Sequence, residues 1–345
     1  MQKLITCKAT QHQQNTALKL NDWTQFLIIT YVVLLLIWLG LWLVIGDTFW
    51  WLTLINRVVP YLFFPMPIIF LLGLIFRQYR LILISLIPPL LFGLLYGPYL
   101  IPRLAQPGDT PHLRVMTYNV LYSNENHNAV ADVILTHRPD LVALQEVQPE
   151  MMSSLVERLA KDYPYSSIGY QNQYGTTAAF SRYPVTDSYI LDLKADRPAV
   201  VLHVDLEGKE LTFISAHLLA YDLWEVTLPD IPHTVNRFTA NQNKQARLLL
   251  ETVKKHSGPI ILACDCNSKE TSSSYQILNH SITNTARQIG WTIGRSMLAG
   301  TKPDTSLQHI DYVFYQGPLN PVAIYSIRNS GGSDHWPVMA NFNFE

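Results

Sequence analysis

The chain is poor in cysteine, with three in 345 residues. That excludes a disulfide framework as the source of its stability. No Cys-x-x-Cys pair is present to begin a zinc site. Cys264 and Cys266 stand two apart on a predicted strand, so both side chains face the same way, a poor arrangement for bridging each other. They read as packing residues, because free cysteine behaves as a small hydrophobe. A basic excess is missing too. The whole chain sets 25 Lys+Arg against 26 Asp+Glu, and from residue 110 onward 18 stand against 23, a balance of −5. A domain that grips generic nucleic acid by neutralising phosphates leans basic, whereas this one leans acidic. Charge of either sign is absent from 26–46, and that run is too long and lacks a small-residue cleavage site, which argues against a cleaved signal peptide. No internal repeat is evident.

What is abundant is apolar sequence, and it is concentrated near the start. Residues 26–46 (FLIITYVVLLLIWLGLWLVIG) are continuous enough to cross a hydrocarbon core, which takes about 20 residues. Residues 58–76 and 81–100 supply two more such runs, and their prolines are tolerated in spans whose neighbours satisfy the freed backbone groups. Lys3, Lys8 and Lys19 in the leader 1–25, and Arg77 and Arg80 between the second and third runs, mark the cytoplasmic side. The first connection, 46–57, holds Asp47, Trp50, Trp51 and a single arginine, which suits the outer face. Three transmembrane helices within 26–101 are therefore expected, then a stiff proline-bearing linker at 102–111. A soluble domain at 112–345 is expected outside the cytoplasm.

That domain alternates short β-branched runs with helical stretches. Strands are predicted at 113–120, 141–145, 176–181, 188–193, 199–206, 211–215, 260–264, 310–315, 321–326 and 338–342, with helices at 126–137, 149–162 and 239–256. Glu207-Gly208-Lys209 reads as a hairpin turn. Strands outnumber helices and polar islands cap strand ends, which fits sheets sandwiched together, covered by helices, with a site along one edge. The stretch 220–237, with Tyr221, Trp224, Leu228 and Ile231, reads as an irregular loop able to serve as a lid or touch lipid. His233 and His309 read as incidental.

The polar islands carry the chemistry. Asn119 and Glu146 each end an apolar run, and amide and carboxylate oxygens suit a hard divalent ion. His217 ends another. Asp265 and Asn267, two apart, project from one face and could hold a water or a phosphoryl oxygen. Asp311 opens an apolar strand, an expensive place for a carboxylate without a partner. An imidazole is its natural partner, and His335 is available to be oriented in the manner of a catalytic triad. Gly331 and Gly332 would let backbone approach a ligand closely.

The ordered set Tyr118-Asn119-Val120, Leu144-Gln145-Glu146-Val147, Ser181-Arg182-Tyr183-Pro184, Ala216-His217-Leu218, Cys264-Asp265-Cys266-Asn267, Ile310-Asp311-Tyr312-Val313 and Ser333-Asp334-His335-Trp336-Pro337-Val338 resembles the endonuclease/exonuclease/phosphatase superfamily. That group includes deoxyribonucleases, abasic-site endonucleases, neutral sphingomyelinases and inositol polyphosphate 5-phosphatases. The resemblance covers 112–345 and implies an α/β fold, a four-layer sandwich with two central mixed sheets. It implies Mg²⁺, with Mn²⁺ as the alternative ion, at Asn119 and Glu146, with Asp334 touching metal or water. It further implies His335 as base or transition-state stabiliser oriented by Asp311. Asp265 and Asn267 would position the attacking water and the phosphoryl group. His217 would stabilise charge or protonate the leaving oxygen, and Arg182 and Asn267 would bind substrate. In one motif the residues flanking Asp265 are both cysteine, where the pattern has a small residue and an aromatic.

Three readings of function follow. A membrane-anchored phosphoester hydrolase would meet a lipid-linked phosphate or diphosphate in the bilayer, and the three-span layout resembles superfamily members linked to polyprenyl diphosphate metabolism. An extracytoplasmic nuclease acting on DNA or RNA is the second, opposed by the acidic balance. An inactive binding module is the third, opposed by the intact set of polar groups. Oligomeric state is not legible.

Overall fold

The structure, a computed structural model, describes residues 22–101, 112–221, 223, 226–290 and 309–344. The leader lysines, the 102–111 linker and Trp224 lie outside the described residues.

The apolar region forms helices. α1 (Asp22–Ile45) is unbroken, whereas α2 (Trp50–Leu62) and α3 (Met66–Ile75) meet at a 50° bend. Pro65 and Pro67 flank that bend, and each lacks the N–H that a continuing helix would need. α4 (Tyr79–Ser85) and α5 (Ile87–Leu100) together form one span-length stretch, with Pro88 and Pro89 at the start of α5, where proline is tolerated. Two helices are thus long and apolar enough to cross a membrane, or three if the bent pair is one span. Ile28 packs with Ile69 and Leu81. Since Ile28 lies six residues into α1, about 9 Å from its start, the turn at 76–78 sits at the end where α1 begins. The connection expected at 46–57 is mostly helix: α2 already starts at Trp50, because its polar and apolar residues repeat with helical spacing. Leu52, Thr53, Asn56 and Val59 form its buried face.

The remaining chain runs β1 (Leu113–Asn119), α6 (His127–His137), β2 (Leu141–Val147), α7 (Pro149–Leu159), β3 (Tyr165–Ile168), β4 (Thr176–Ser181), β5 (Val185–Asp192), β6 (Pro198–Leu206), β7 (Lys209–His217), α8 (Ile231–Lys255), β8 (Ile260–Asp265), α9 (Ser273–Asn279), β9 (Thr283–Asn284), α10 (Thr285–Ile289), β10 (Asp311–Gln316), β11 (Leu319–Ser326) and β12 (Val338–Phe344). Two six-stranded mixed sheets result, ordered β11-β12-β1-β2-β4-β3 and β5-β6-β7-β8-β10-β9. β1 and β2 are parallel at the middle of the first sheet, and β7 and β8 are parallel at the middle of the second. These strands are buried on both faces, which is why they read as near-continuous apolar runs. α6 and α7 cover the first sheet over Val130, Ile134, Met151 and Leu155. α8 and α9 cover the second over Ala246, Leu249, Tyr275 and Leu278. Between the sheets, Val115, Ala143, Phe213, Ile261 and Val313 belong to one apolar cluster that continues into Trp38, Leu52 and Tyr96 of the N-terminal apolar helices.

Two sequence expectations change. α8 starts at Ile231, with Pro232 in its first turn, so the irregular stretch is shorter than 220–237. Cys264 and Cys266 are joined as a disulfide. The strand ends at Asp265, and the backbone at that residue departs from the extended form and brings the two Cα atoms to 5.2 Å. The straight strand assumed from sequence would hold them farther apart.

Candidate active site

The site is built where strands of both sheets end on one side of the sandwich. Asn119 ends β1, opposite Gln145 of β2. One residue on, Glu146 sits in a register shift between Leu144 and Val147 and takes a φ of 61°. Such a conformation is strained for a side-chain-bearing residue and is found where function over-determines it. It turns the carboxylate toward Asn119. Gly175 permits this turn: a Cβ there would come within 2.5 Å of the Glu146 backbone. In the second sheet His217, Asp265 and Asp311 lie side by side, since His217 pairs with Asp265 across β7–β8 and Asp265 with Asp311 across β8–β10. His335 arrives from the segment before β12. Ser333 secures that segment by donating to the Asn119 carbonyl at 2.7 Å and accepting from the His335 N–H at 3.0 Å.

Asp265 is the hub. Its Oδ2 accepts from Asn119 Nδ2 at 2.9 Å and lies 3.6 Å from His217 Nε2 and 4.0 Å from His335 Nε2. Its Oδ1 accepts from the Asn267 N–H at 3.1 Å. The same Asn119 amide donates to Glu146 Oε1 at 3.0 Å, so it ties the two sheets together. Burial and then the Asp311 charge push the Asp265 carboxyl up to about 7, against the pull of His335 and Asn119.

The two imidazoles differ in charge. His335 Nδ1 meets Asp311 Oδ2 at 3.0 Å. Burial opposes a charged ring, but the Asp311 charge and hydrogen bond, then Asp265 and Asp334, overcome it and push His335 up to about 10. His217 is held well below its ordinary value by burial, then by Arg197 and His335. Its Nδ1 lies 3.2 Å from the Arg197 guanidinium and its Nε2 lies 3.0 Å from the Asn267 amide nitrogen. The guanidinium can only donate, so Nδ1 is the acceptor and the neutral ring carries its single proton on Nε2, on the side of Asp265 Oδ2.

The Glu146 carboxylate suits a hard divalent ion and remains 17% exposed, leaving room for water ligands, while the Asn119 oxygen beside it accepts from the Leu121 N–H at 2.9 Å and has a second lone pair to offer. Ligand-type atoms of Asp265, Asp311 and His335 also lie within 4.8 Å of one another. There, however, His335 Nδ1 is engaged by Asp311, so this trio reads as the proton-handling side of the site. Asp334 is half-buried and acts on the His335 charge. Gly331 and Gly332 pack on the protein itself, since a Cβ on either would strike Tyr118 or Asn124.

Asn119, Glu146, His217, Asp265, Asn267, Asp311 and His335 thus meet in space. Arg182 does not join them. It pairs with Asp140 at 3.6 Å, just before β2 begins, whereas Glu146 lies near the other end of that strand, about 17 Å along it. Its motif packs the far edge of the sheet. Arg197 and Arg57 were missed, because a lone arginine carries no sequence signal of its own. Arg57 of α2 donates to the Asn267 carbonyl at 3.3 Å and stacks on the Tyr221 ring at 4.1 Å. The loop after Asn267 is the pad on which the N-terminal apolar helices rest. Trp42 Nε1 donates to the Thr271 carbonyl at 2.8 Å, Thr271 Oγ1 donates to the Asn56 carbonyl at 2.6 Å, and the Ser273 N–H donates to Asp47 Oδ2 at 2.7 Å. Asp47 also accepts from the Asn56 amide.

A family model described as the Endonuclease/Exonuclease/phosphatase family matches residues 116–335. Among solved structures, a humanized TDP2 from D. rerio is 20% identical, with a TM-score of 0.55 over 67% of this chain and 98% of that one. An endonuclease/exonuclease/phosphatase from Bacteroides vulgatus is 18% identical, with a TM-score of 0.56 over 69% of this chain and all of that one. A mannosyl-6-phosphatase from Bacteroides thetaiotaomicron is 15% identical, with a TM-score of 0.53 over 67% of this chain and all of that one. At these identities the likeness is one of fold. No curated protein matches the sequence.

Proposed function

The chain belongs to the endonuclease/exonuclease/phosphatase family, and from that premise we propose a membrane-anchored, Mg²⁺-dependent hydrolase of a lipid-linked phosphate or diphosphate, working at the outer membrane face. The single observation behind the lipid-linked substrate is the bond from Arg57, on a helix of the apolar region, to the carbonyl of the active-site residue Asn267. It sets the reacting centre beside the helices that enter the bilayer, where a soluble polymer gains nothing and a lipid-borne phosphate is delivered directly. The acidic balance of the domain, −5 from residue 110, agrees with a substrate held by few cations.

In this reading a water molecule attacks phosphorus in line with the departing oxygen. Asp265, poised near neutrality, takes the proton from that water as the new P–O bond forms and the old one breaks. His335, charged and oriented by Asp311, donates a hydrogen bond to the phosphoryl oxygen on which negative charge grows. Asn267 and Arg197 supply further donors, and His217 acts as a neutral polar group. Donors aimed at developing charge in a buried site are the largest common source of rate enhancement. Glu146 and Asn119 would hold a divalent ion, which would supply Lewis-acid stabilisation of the charge that grows on the phosphoryl group.

The test is a substrate panel on the full chain in detergent. Mg²⁺-dependent phosphate release from a polyprenyl diphosphate, abolished by EDTA, with no cleavage of plasmid DNA, is expected. Cleavage of DNA with an inert diphosphate would overturn the lipid substrate and leave a nuclease.

A further inference from the structure

A cleft of about 810 Å³ opens between the last turn of α1, the outer stripe of α8 and the end of α9, away from the active site. None of the seven active-site groups lines it. One wall is Trp42, Leu43 and Gly46, the next is Asn243, Arg247, Leu250 and Lys254, and His280 closes the third. The α8 residues fall at spacings of four, three and four, so they share one helix face. Arg247 and Lys254 are exposed and make no ion pair among the described residues. Asn243 Oδ1, by contrast, is buried and accepts no hydrogen bond. The acid on the cleft wall, Asp47, is already engaged by Ser273 and Asn56.

The cleft lies at the C-terminal end of α1, a helix long and apolar enough to cross a membrane. Leu43 is 68% exposed and Val44 83% exposed on that last turn, surface that only lipid chains cover well. Trp42, at the same level, is the residue type that settles at headgroup depth. The cleft therefore sets two cations and an orphaned acceptor beside bare apolar surface, a pairing that suits the polar head and acyl chains of a phospholipid.

We propose that this cleft binds one anionic phospholipid of the leaflet facing the catalytic domain. Arg247 and Lys254 take its phosphate, Asn243 Oδ1 accepts from a headgroup hydroxyl, and an acyl chain lies along Leu43. Such a lipid would wedge between α1 and the α8–α9 layer and hold the catalytic domain at a set height over the bilayer. The site is separate from catalysis, so its test needs no substrate.

Binding is read as the shift in thermal unfolding of the full chain in detergent micelles titrated with phosphatidylglycerol, phosphatidylcholine or inorganic phosphate. Phosphatidylglycerol is expected to raise Tm saturably and phosphatidylcholine much less. The double variant Arg247→Gln/Lys254→Gln should unfold at the parent temperature without lipid, since neither side chain is paired among the described residues. It should need at least about tenfold more phosphatidylglycerol for the same shift, as loss of charge-assisted hydrogen bonds implies. Asn243→Asp, which leaves both cations in place but puts a carboxylate in the cleft, should weaken binding as well. Equal shifts from the two lipids, or variants that respond like the parent, would overturn the site. A shift from inorganic phosphate matching that from phosphatidylglycerol would overturn its assignment to a lipid.

Discussion

His335 and His217 flank the same carboxylate oxygen of Asp265, at 4.0 and 3.6 Å, yet they are held in opposite charge states. Burial cannot be the difference, because their exposures are 4% and 3%. What differs is the neighbour on Nδ1: Asp311 for His335 and Arg197 for His217. A carboxylate at 3.0 Å overcomes burial and makes one ring a cation, whereas a guanidinium at 3.2 Å adds to burial and keeps the other neutral. The site therefore carries one imidazole that can face growing negative charge and one that shapes the pocket without charge. In a poorly screened interior this sorting needs only the partner, since an opposite charge within a few ångströms favours the charged form and a like charge disfavours it.

The largest effect should come from truncating each ring. His335→Ala is expected to lower kcat by about 10³-fold or more and His217→Ala by about 10²-fold, in the range of positioned acids and oxyanion donors. Steady-state rates on the same phosphoester would decide it, and equal losses would break the contrast. Next, Asp311→Asn removes the charge that raises His335. The ring should then lose its proton well below the present value of about 10, because burial is opposed only by Asp265 and Asp334. The alkaline limb of the pH–rate profile should move down accordingly, by a factor of ten in rate for each unit above the new limb. An unmoved limb would remove His335 from the titrating role.

A smaller change is expected from Arg197→Gln. Arg197 lowers the His217 pKa, so its loss should raise it, which an NMR titration of the ring reads directly; activity should fall about tenfold. A ring that titrates as before would leave burial as the sole cause. The smallest effect is on stability. His335 has a folded pKa above its unfolded one, so its contribution is complete below about 6.5 and is lost as pH rises through about 10. His217 has a folded pKa below its unfolded one. The unfolded chain then binds the extra proton, and stability is lost as pH falls through about 6.5. Thermal melts of His335→Ala should accordingly lose the alkaline slope and those of His217→Ala the acid slope, each on the order of a few degrees in Tm.

Much of the catalytic layer is visible in the sequence because each polar island ends an apolar run. Asn119, Glu146, His217, Asp265 and Asp311 all stand at strand ends, and strands that run as parallel pairs deliver such ends to one edge. Arg182 misled by the same logic. Its motif also ends an apolar run, but β4 is antiparallel to β2, so its end lies at the opposite edge. The Cys264–Cys266 bridge was hidden because it depends on the strand ending at Asp265, between the two cysteines. The helical start of α2 was hidden because Trp50 and Asp47 suit an interface loop as well as they suit a helix resting on a protein surface.

Length and apolarity determined the membrane-competent helices, since backbone in lipid must satisfy its own hydrogen bonds and only a long uninterrupted run can do so. Alternation and punctuation determined which residues would stand at strand ends. Only the tertiary structure decided which ring is charged, that Arg57 reaches Asn267, and that Arg182 stays away. Each of these rests on groups far apart in the chain being brought within a few ångströms, and electrostatic interaction in a buried site is governed by that separation and not by order along the sequence.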